Sequence, residues 1–192
     1  MHRKGLIAAA AAAVVLGACA GGTQSLSPVP SHQIVKAPDP SRHHTKRSHA
    51  TANVVQDPGF ESDGFTYWTQ CGTVNAAMST SSHTGTYAVR LGTTAKPEIN
   101  GDAAVCQTVT VPASGQLSFW IKSATDDTAQ YAWQEAQLLN ASGAVLTTLY
   151  KATTSTGGWI QESYDVSAYA GQSVTIEFDV HGNGYSSDYV DM

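Results

Sequence analysis

Two stretches of the chain alternate apolar and polar residues with a period of two, which indicates half-buried β-strands. The apolar set includes Phe119 in residues 115–123 and Phe178 in residues 172–181. Weaker alternation marks four further segments: 104–111, 132–139, 144–150 and 159–166. Glycine-bearing turns separate these segments, and the sequence beyond residue 51 sustains no helical period. The pattern predicts an all-β fold, an antiparallel β-sandwich of about eight to ten strands with one helical turn near residues 166–169.

The first nineteen residues have the composition of a secretory signal peptide. Arg3 and Lys4 precede an apolar run over residues 6–15, which is too short to cross a bilayer. Residues 16–19, Leu-Gly-Ala-Cys, resemble the lipobox of bacterial lipoproteins, in which the cysteine carries the lipid. The resemblance implies a lipid on Cys19, a membrane anchor, and a place in the bacterial cell envelope facing outside the cytoplasm. An ordinary signal peptide cleaved near Ala18 or Ala20 is the alternative.

Residues 20–51 are rich in serine, proline and histidine and contain almost no large apolar side chain. Such a segment buries too little apolar surface to offset the entropy of ordering, so it is predicted to be a disordered tether. Basic residues and four histidines lie in it: Lys36, Arg42, Lys46, Arg47, His32, His43, His44 and His49. A solvated linker is the favoured interpretation, and a metal-binding histidine cluster is the alternative.

Residues 52–192 have the length of one domain and a strongly acidic balance. They contain fourteen acidic and four basic residues, a formal net charge of −10, whereas the whole chain has −5. Nucleic acid is therefore excluded as a partner, because phosphate binding needs a basic surface. A cation or a neutral polymer fits this charge better.

Cys71 and Cys106 are the two cysteines of this domain. In an exported protein an even pair normally forms a disulfide, which would stabilise the fold by roughly 3 to 4 kcal/mol. Two buried thiols are the alternative. Neither cysteine has a partner at a zinc-ligand spacing, so a zinc site is not expected.

Strand parity places several aromatic and polar side chains on surfaces that face away from the predicted core. They are Trp120 on one strand, Trp133, Glu135 and Gln137 on a second, and Glu177, Asp179 and His181 on a third. An indole among carboxylates and amides is suited to sugar binding, because the ring covers a pyranose face and the polar groups bind hydroxyls. The alternative is that the indoles fill core or edge positions and the carboxylates are simply solvated. Tyr131 and Tyr185 are further candidates on loops.

An ordered series of motifs spans residues 53–191. It consists of Asp57-Pro58-Gly59-Phe60-Glu61, Tyr67-Trp68, the segment 82–88, the segment 109–120, and the segment 165–171. Together these motifs resemble the galactose-binding-like jelly-roll domains that occur as carbohydrate-binding modules and accessory domains of secreted bacterial enzymes. The resemblance implies a jelly-roll sandwich with a sugar-binding role.

The same resemblance implies one structural Ca²⁺. Its ligands, carried over by position, are Glu61 and Asp191, with Asp57 and the backbone carbonyls of residues 83–85 completing the shell. Calcium takes six to eight oxygen ligands in irregular geometry, so this set is chemically reasonable. Glu61 and Asp191 as ordinary surface acids are the alternative. The last strand is expected to be shorter than in the resembling domains, because the chain stops at Met192.

The sequence therefore predicts a non-catalytic module that binds polysaccharide or cell-wall glycan. Motifs for zinc hydrolysis and for a serine nucleophile are absent from the sequence, and pairs of acids arise by chance on alternating strands. Two alternatives stay open. One is a structural or adhesion module that binds protein, and the other is an accessory-domain remnant of a larger secreted hydrolase.

Overall fold

Ten β-strands and one short 3₁₀ helix make up the part of the chain that the computed structural model describes, residues 53–62, 64–127 and 131–192. The strands are β1 (Thr69–Gln70), β2 (Ala77–Ser79), β3 (Ala88–Gly92), β4 (Gly101–Thr110), β5 (Gln116–Thr125), β6 (Trp133–Leu139), β7 (Val145–Ala152), β8 (Ile160–Asp165), β9 (Ser173–Gly182) and β10 (Asp188–Asp191). The predicted signal segment, Cys19 and the tether over residues 20–51 lie outside the described residues.

The strands form two five-stranded sheets. Sheet A has the order β1-β4-β9-β6-β7, and sheet B has the order β2-β3-β10-β5-β8. All pairings between these strands are antiparallel. The predicted antiparallel sandwich is confirmed, and so is the helical turn, which is the 3₁₀ helix Ser167–Tyr169.

The core lies between the inner faces of the two sheets. Ile121 of β5, Leu138 of β6 and Val180 of β9 are each no more than 2% exposed. The rings of Phe119 on sheet B and Phe178 on sheet A meet edge to face with centroids 4.9 Å apart. Apolar residues of alternating strands thus pack against each other across the two layers, which is the burial that stabilises a sandwich.

A disulfide between Cys71 and Cys106 joins the end of β1 to β4, as predicted. It lies on the outer side of sheet A, where Cys106 pairs with Glu177 of β9. The bridge holds the two-residue β1 against the much longer β4. The disulfide therefore lies beside Glu177 on the outer side of sheet A.

β10 lies in the middle of sheet B rather than at its edge. It pairs with β3 on one side and with β5 on the other. Backbone hydrogen bonds also join Met192 and Val89 in both directions, at 2.9 and 3.1 Å. The last residues of the chain are therefore integral to the sheet.

Among the described residues, no helix has the length and apolar character needed to span a membrane.

Candidate functional site

The register between β6 and β9 brings six of the seven predicted sugar-site residues together. Their cross-strand pairs are Trp133 with His181, Glu135 with Asp179, and Gln137 with Glu177. The intervening residues of β9, such as Phe178, point into the core, so these six share the outer side of sheet A. Neighbouring strands add Asp102, which pairs with His181, and Lys151, which pairs with Glu135. We call these eight residues the acidic face.

An aromatic stack lies at one end of the acidic face. The rings of Trp133 and His181 are 4.1 Å apart between centroids and 12° from parallel. His181 Nδ1 lies 2.6 Å from Asp102 Oδ1, which fixes the orientation of the imidazole. Trp133 Nε1 donates a hydrogen bond of 3.2 Å to Glu135 Oε1. The stack is therefore held in place by a carboxylate at each side.

Lys151 covers part of this stack. Its Nζ lies 4.2 Å from the centroid of the Trp133 ring and 3.1 Å from Glu135 Oε2. The lysine side chain remains 48% exposed, whereas that of Glu135 is 13% exposed. A half-exposed lysine loses little when it moves, because an ion pair in contact with water contributes at most about 1 kcal/mol. The indole can thus be uncovered by rotation of one flexible side chain.

Asp179 is the most buried carboxyl of the acidic face and is 7% exposed. Its Oδ1 accepts no hydrogen bond from the described residues. Burial, together with the nearby carboxylates of Asp102, Glu135 and Glu177, raises the pKa of Asp179 to about 8, and Lys151 opposes this in part. Burial and the charges of Glu135 and Asp102 also raise the pKa of Glu177. At neutral pH Asp179 is therefore mostly protonated, and the face carries less negative charge than its composition implies.

Glu177 borders the disulfide. Its Oε2 lies 3.4 Å from Cys106 Sγ and 3.7 Å from Cys71 Sγ. Because both sulfurs are oxidised, they carry no proton to donate and no thiolate to bind a metal. The Glu177 carboxylate and the two disulfide sulfurs therefore pack against each other at the border of the acidic face and do not form a metal site.

Trp120 is separated from the other six predicted residues, because it lies on β5 of sheet B. Its ring is 37% exposed and stacks on His83 with centroids 3.8 Å apart. Trp159 meets the His83 ring edge to face. His83 and Trp120 border a cleft of about 650 Å³ that also reaches Phe60, Trp68 and Leu117 between the sheets. The predicted loop residues Tyr131 and Tyr185 are 53% and 83% exposed.

The three predicted calcium ligands each accept hydrogen bonds within the protein. Asp191 is fully buried, and both of its oxygens accept hydrogen bonds of 2.7 Å from Arg90. Glu61 Oε1 accepts the backbone N–H groups of Thr86 and Tyr87. The Asp57 carboxylate accepts the backbone N–H groups of Glu61 and Ser62. The groups of metal-ligating side chains found among the described residues include none of these three carboxylates.

The sequence analysis missed two members of the acidic face. Asp102 lies before the predicted strand over residues 104–111, and Lys151 lies after the predicted strand over residues 144–150. The structure extends both strands, since β4 begins at Gly101 and β7 ends at Ala152. Strand ends carry weak periodicity, so the pattern does not extend the predicted strands to these polar residues.

No protein-family model and no curated protein matches the chain. Solved structures do. The carbohydrate-binding module TmCBM61 in complex with beta-1,4-galactotriose is 18% identical, with a TM-score of 0.54, over 72% of this chain and 94% of that one. The K2 cleaved adhesin domain of Lys-gingipain is 15% identical, with a TM-score of 0.51, over 70% and 92%. The K1 adhesin domain from Porphyromonas gingivalis W83 is 16% identical, with a TM-score of 0.51, over 69% and 90%. These similarities show that the chain has the β-sandwich fold found in carbohydrate-binding modules and adhesin domains.

Proposed function

We propose that this domain is a non-catalytic carbohydrate-binding module whose acidic face binds a polysaccharide or cell-wall glycan. The observation that carries the proposal is the register of β6 and β9, which gathers an indole, an imidazole, an amide and three carboxyls into three adjacent cross-strand pairs. Side chains on neighbouring strands are held at fixed spacings of about 5 Å, so these six groups form a regular array. A regular surface of this kind suits a repeating ligand.

The chemistry of the face matches sugar hydroxyls. Carboxylates and the Gln137 side-chain oxygen accept hydrogen bonds from hydroxyls, while Lys151 and the Gln137 amide donate them. The Trp133 and His181 rings supply the apolar contact that a pyranose face requires. Excess negative charge on the face repels anionic polymers, so we expect a neutral glycan.

Binding without catalysis is supported by the state of the carboxyls. A glycosidase needs one protonated and one ionised carboxyl on either side of the scissile bond. Asp179 has the raised pKa of an acid, but it is only 7% exposed. Glu135 accepts hydrogen bonds from Trp133 and Lys151. Glu135 and Asp179 form one cross-strand pair on the same side of sheet A, so they do not flank a cleft in which a glycosidic bond could lie between them.

The proposal is tested by glycan-array screening of the full chain, followed by calorimetric titration with the best-bound oligosaccharide. Trp133→Ala is expected to weaken binding by at least about tenfold, which corresponds to about 1.4 kcal/mol. Trp120→Ala is the matched control on sheet B and is expected to retain the wild-type affinity. Wild-type affinity in Trp133→Ala, or loss of binding only in Trp120→Ala, would contradict the assignment of the acidic face.

A protein-binding role is the second candidate, and the edge of sheet A favours it. β7 is an edge strand of eight residues, and it begins with two exposed apolar side chains, Val145 at 54% and Leu146 at 37%. An unpaired strand edge with apolar side chains can accept a strand from a partner. Capture of a surface protein that is abolished by Leu146→Lys and unaffected by Trp133→Ala would favour this role over glycan binding.

The location of the protein is proposed from the sequence of its first nineteen residues. We propose export, lipidation of Cys19 and display of the domain outside the cytoplasm on the tether over residues 20–51. Labelled palmitate incorporated into the wild type and absent from Cys19→Ala would support the anchor. Equal labelling of the two proteins, or release of the wild type into the medium, would contradict it. Membership of a larger secreted hydrolase stays a prediction.

A further inference from the structure

Three carboxyl groups converge at one end of the sandwich, away from the predicted calcium ligands. They belong to Glu98 in the β3–β4 connection, Asp127 in the β5–β6 connection, and Asp188 at the start of β10. One oxygen from each lies within 4.8 Å of the others. The cluster thus draws on three separate segments of the chain. Like charges at this distance repel, so their convergence requires a compensating interaction.

Asp188 lacks that compensation among the described residues. It is 1% exposed, and neither of its carboxylate oxygens has a hydrogen-bond partner of normal geometry among them, although the Thr125 side chain is close enough to favour the ionised carboxylate. The backbone of Asp188 is fixed in position. Its carbonyl oxygen accepts a hydrogen bond of 2.8 Å from the Thr93 N–H. The same oxygen packs closely against Gly92, where the Cβ of any other residue would lie only 2.1 Å away. A buried carboxylate without a partner is costly, and proteins pair such groups or use them to coordinate metals.

Glu98 is fixed in the same cluster from the other side. It is 6% exposed, and its Oε1 accepts the backbone N–H groups of Asn183 at 2.7 Å and Gly184 at 3.3 Å. Asp127 accepts a hydrogen bond from the Asn183 side-chain amide. Gly182 makes room for the Glu98 carboxylate, since a Cβ there would lie 2.7 Å from the carboxyl carbon. The carboxyls are therefore held by backbone geometry and do not merely share a solvated surface.

We propose that Glu98, Asp127 and Asp188 together bind one Ca²⁺ ion. Calcium lies about 2.3 to 2.6 Å from its oxygen ligands, so two ligands of one ion are separated by at most about 5 Å. The observed limit of 4.8 Å meets this requirement. An all-oxygen set selects a hard cation, and ligands drawn from three connections suit calcium better than magnesium, which demands near-ideal octahedral geometry. Water and backbone carbonyls complete the shell.

The ion would order the loops that border the aromatic end of the acidic face. Gly182, which contacts Glu98, directly follows His181, and Asp127 lies in the connection between β5 and β6, the strand that begins with Trp133. The exposed Tyr185 lies in the connection between β9 and β10 that Glu98 holds through Asn183 and Gly184. This site stands whether or not the acidic face binds glycan.

The test is calorimetric titration of the chelator-treated full chain with calcium chloride, together with thermal unfolding. The wild type is expected to bind one equivalent, and a hundredfold excess of calcium over Kd is expected to raise Tm by roughly 5 to 10 °C. Asp188→Asn and Glu98→Gln are expected to weaken calcium binding at least tenfold. In chelator, Asp188→Asn is expected to unfold at or above the wild-type temperature, because it removes an unpaired buried charge, so its lost calcium response would not reflect misfolding.

Glu61→Gln is the matched control from the sequence-predicted ligand set and is expected to keep the wild-type calcium response. The proposal is overturned if the wild type binds no calcium, or if Asp188→Asn and Glu98→Gln respond as the wild type does. Loss of the response in Glu61→Gln alone would also overturn it, because the ion would then belong to the predicted set. An equal response to magnesium would reject the assignment to calcium.

Discussion

Replacement of Asp179 by asparagine is expected to stabilise the domain at neutral pH. The pKa of Asp179 is raised from 3.8 to about 8, chiefly by burial and then by Asp102, Glu135 and Glu177. The folded state therefore holds the proton more tightly than the unfolded state does. The stability that this provides is fully present below about pH 4 and is lost as the pH rises through about 8.

The magnitude follows from the two pKa values. Each pH unit between them removes about 1.4 kcal/mol from the free energy of unfolding. At pH 7, about three units above the ordinary pKa, the loss reaches about 4 kcal/mol. A typical domain has only about 5 to 15 kcal/mol of stability, so the effect is large. Asparagine has nearly the same shape and does not ionise, so the variant is spared this loss.

Urea unfolding of the wild type and Asp179→Asn between pH 4 and pH 8, in chelator throughout, measures the effect. The two free energies are expected to agree near pH 4 and to diverge steadily towards pH 8. Asp165→Asn is the control, because a hydrogen bond from Ser167 lowers the pKa of this exposed carboxyl, and its substitution should act in the opposite direction. A difference between Asp179→Asn and the wild type that does not change with pH would show that the pKa of Asp179 is not raised in the folded state.

Two further sets of substitutions test the disulfide and the buried ion pair that stabilise the sandwich. The double substitution Cys71→Ser with Cys106→Ser removes a disulfide between cysteines 35 residues apart. It is expected to lower the free energy of unfolding, measured by urea titration, by about 4 kcal/mol. An unchanged urea midpoint would contradict a stabilising role for the disulfide. Arg90→Met leaves the fully buried Asp191 carboxylate unpaired and is expected to lower the free energy of unfolding by about 3 to 5 kcal/mol. Adding Asp191→Asn is expected to restore part of this stability. A loss below about 1 kcal/mol in Arg90→Met would show that the ion pair contributes little.

The long strands were predictable because each buries one side only. β5 and β9 have ten residues each, and their alternation correctly placed Phe119 and Phe178 between the sheets. β1 and β2 were missed because two or three residues carry no period. β3 has no counterpart among the predicted segments and the short last strand β10 was expected from the resemblance alone, because both are buried on both sides of their sheet and do not alternate clearly. Periodicity thus reveals half-buried strands and overlooks short or fully covered ones.

The candidate site was predictable strand by strand, but its assembly was not. Parity correctly grouped Trp133 with Glu135 and grouped Glu177 with Asp179. The contact between these groups depends on the non-local pairing of β6 with β9, which no local pattern specifies. The same limit explains Trp120, whose outward position was right but whose strand lies in the other sheet. It also explains Asp191, whose partner Arg90 lies 101 residues away.

The most direct test of glycan binding on the acidic face follows the four tryptophan side chains during a titration with a neutral oligosaccharide. Each tryptophan gives one indole N–H resonance, assigned by single substitution to phenylalanine, so the four positions report separately. A saturable shift of the Trp133 resonance, with those of Trp120 and the buried Trp68 unchanged, is the expected result. A shift confined to Trp120 and Trp159 would place the ligand on sheet B and contradict the account.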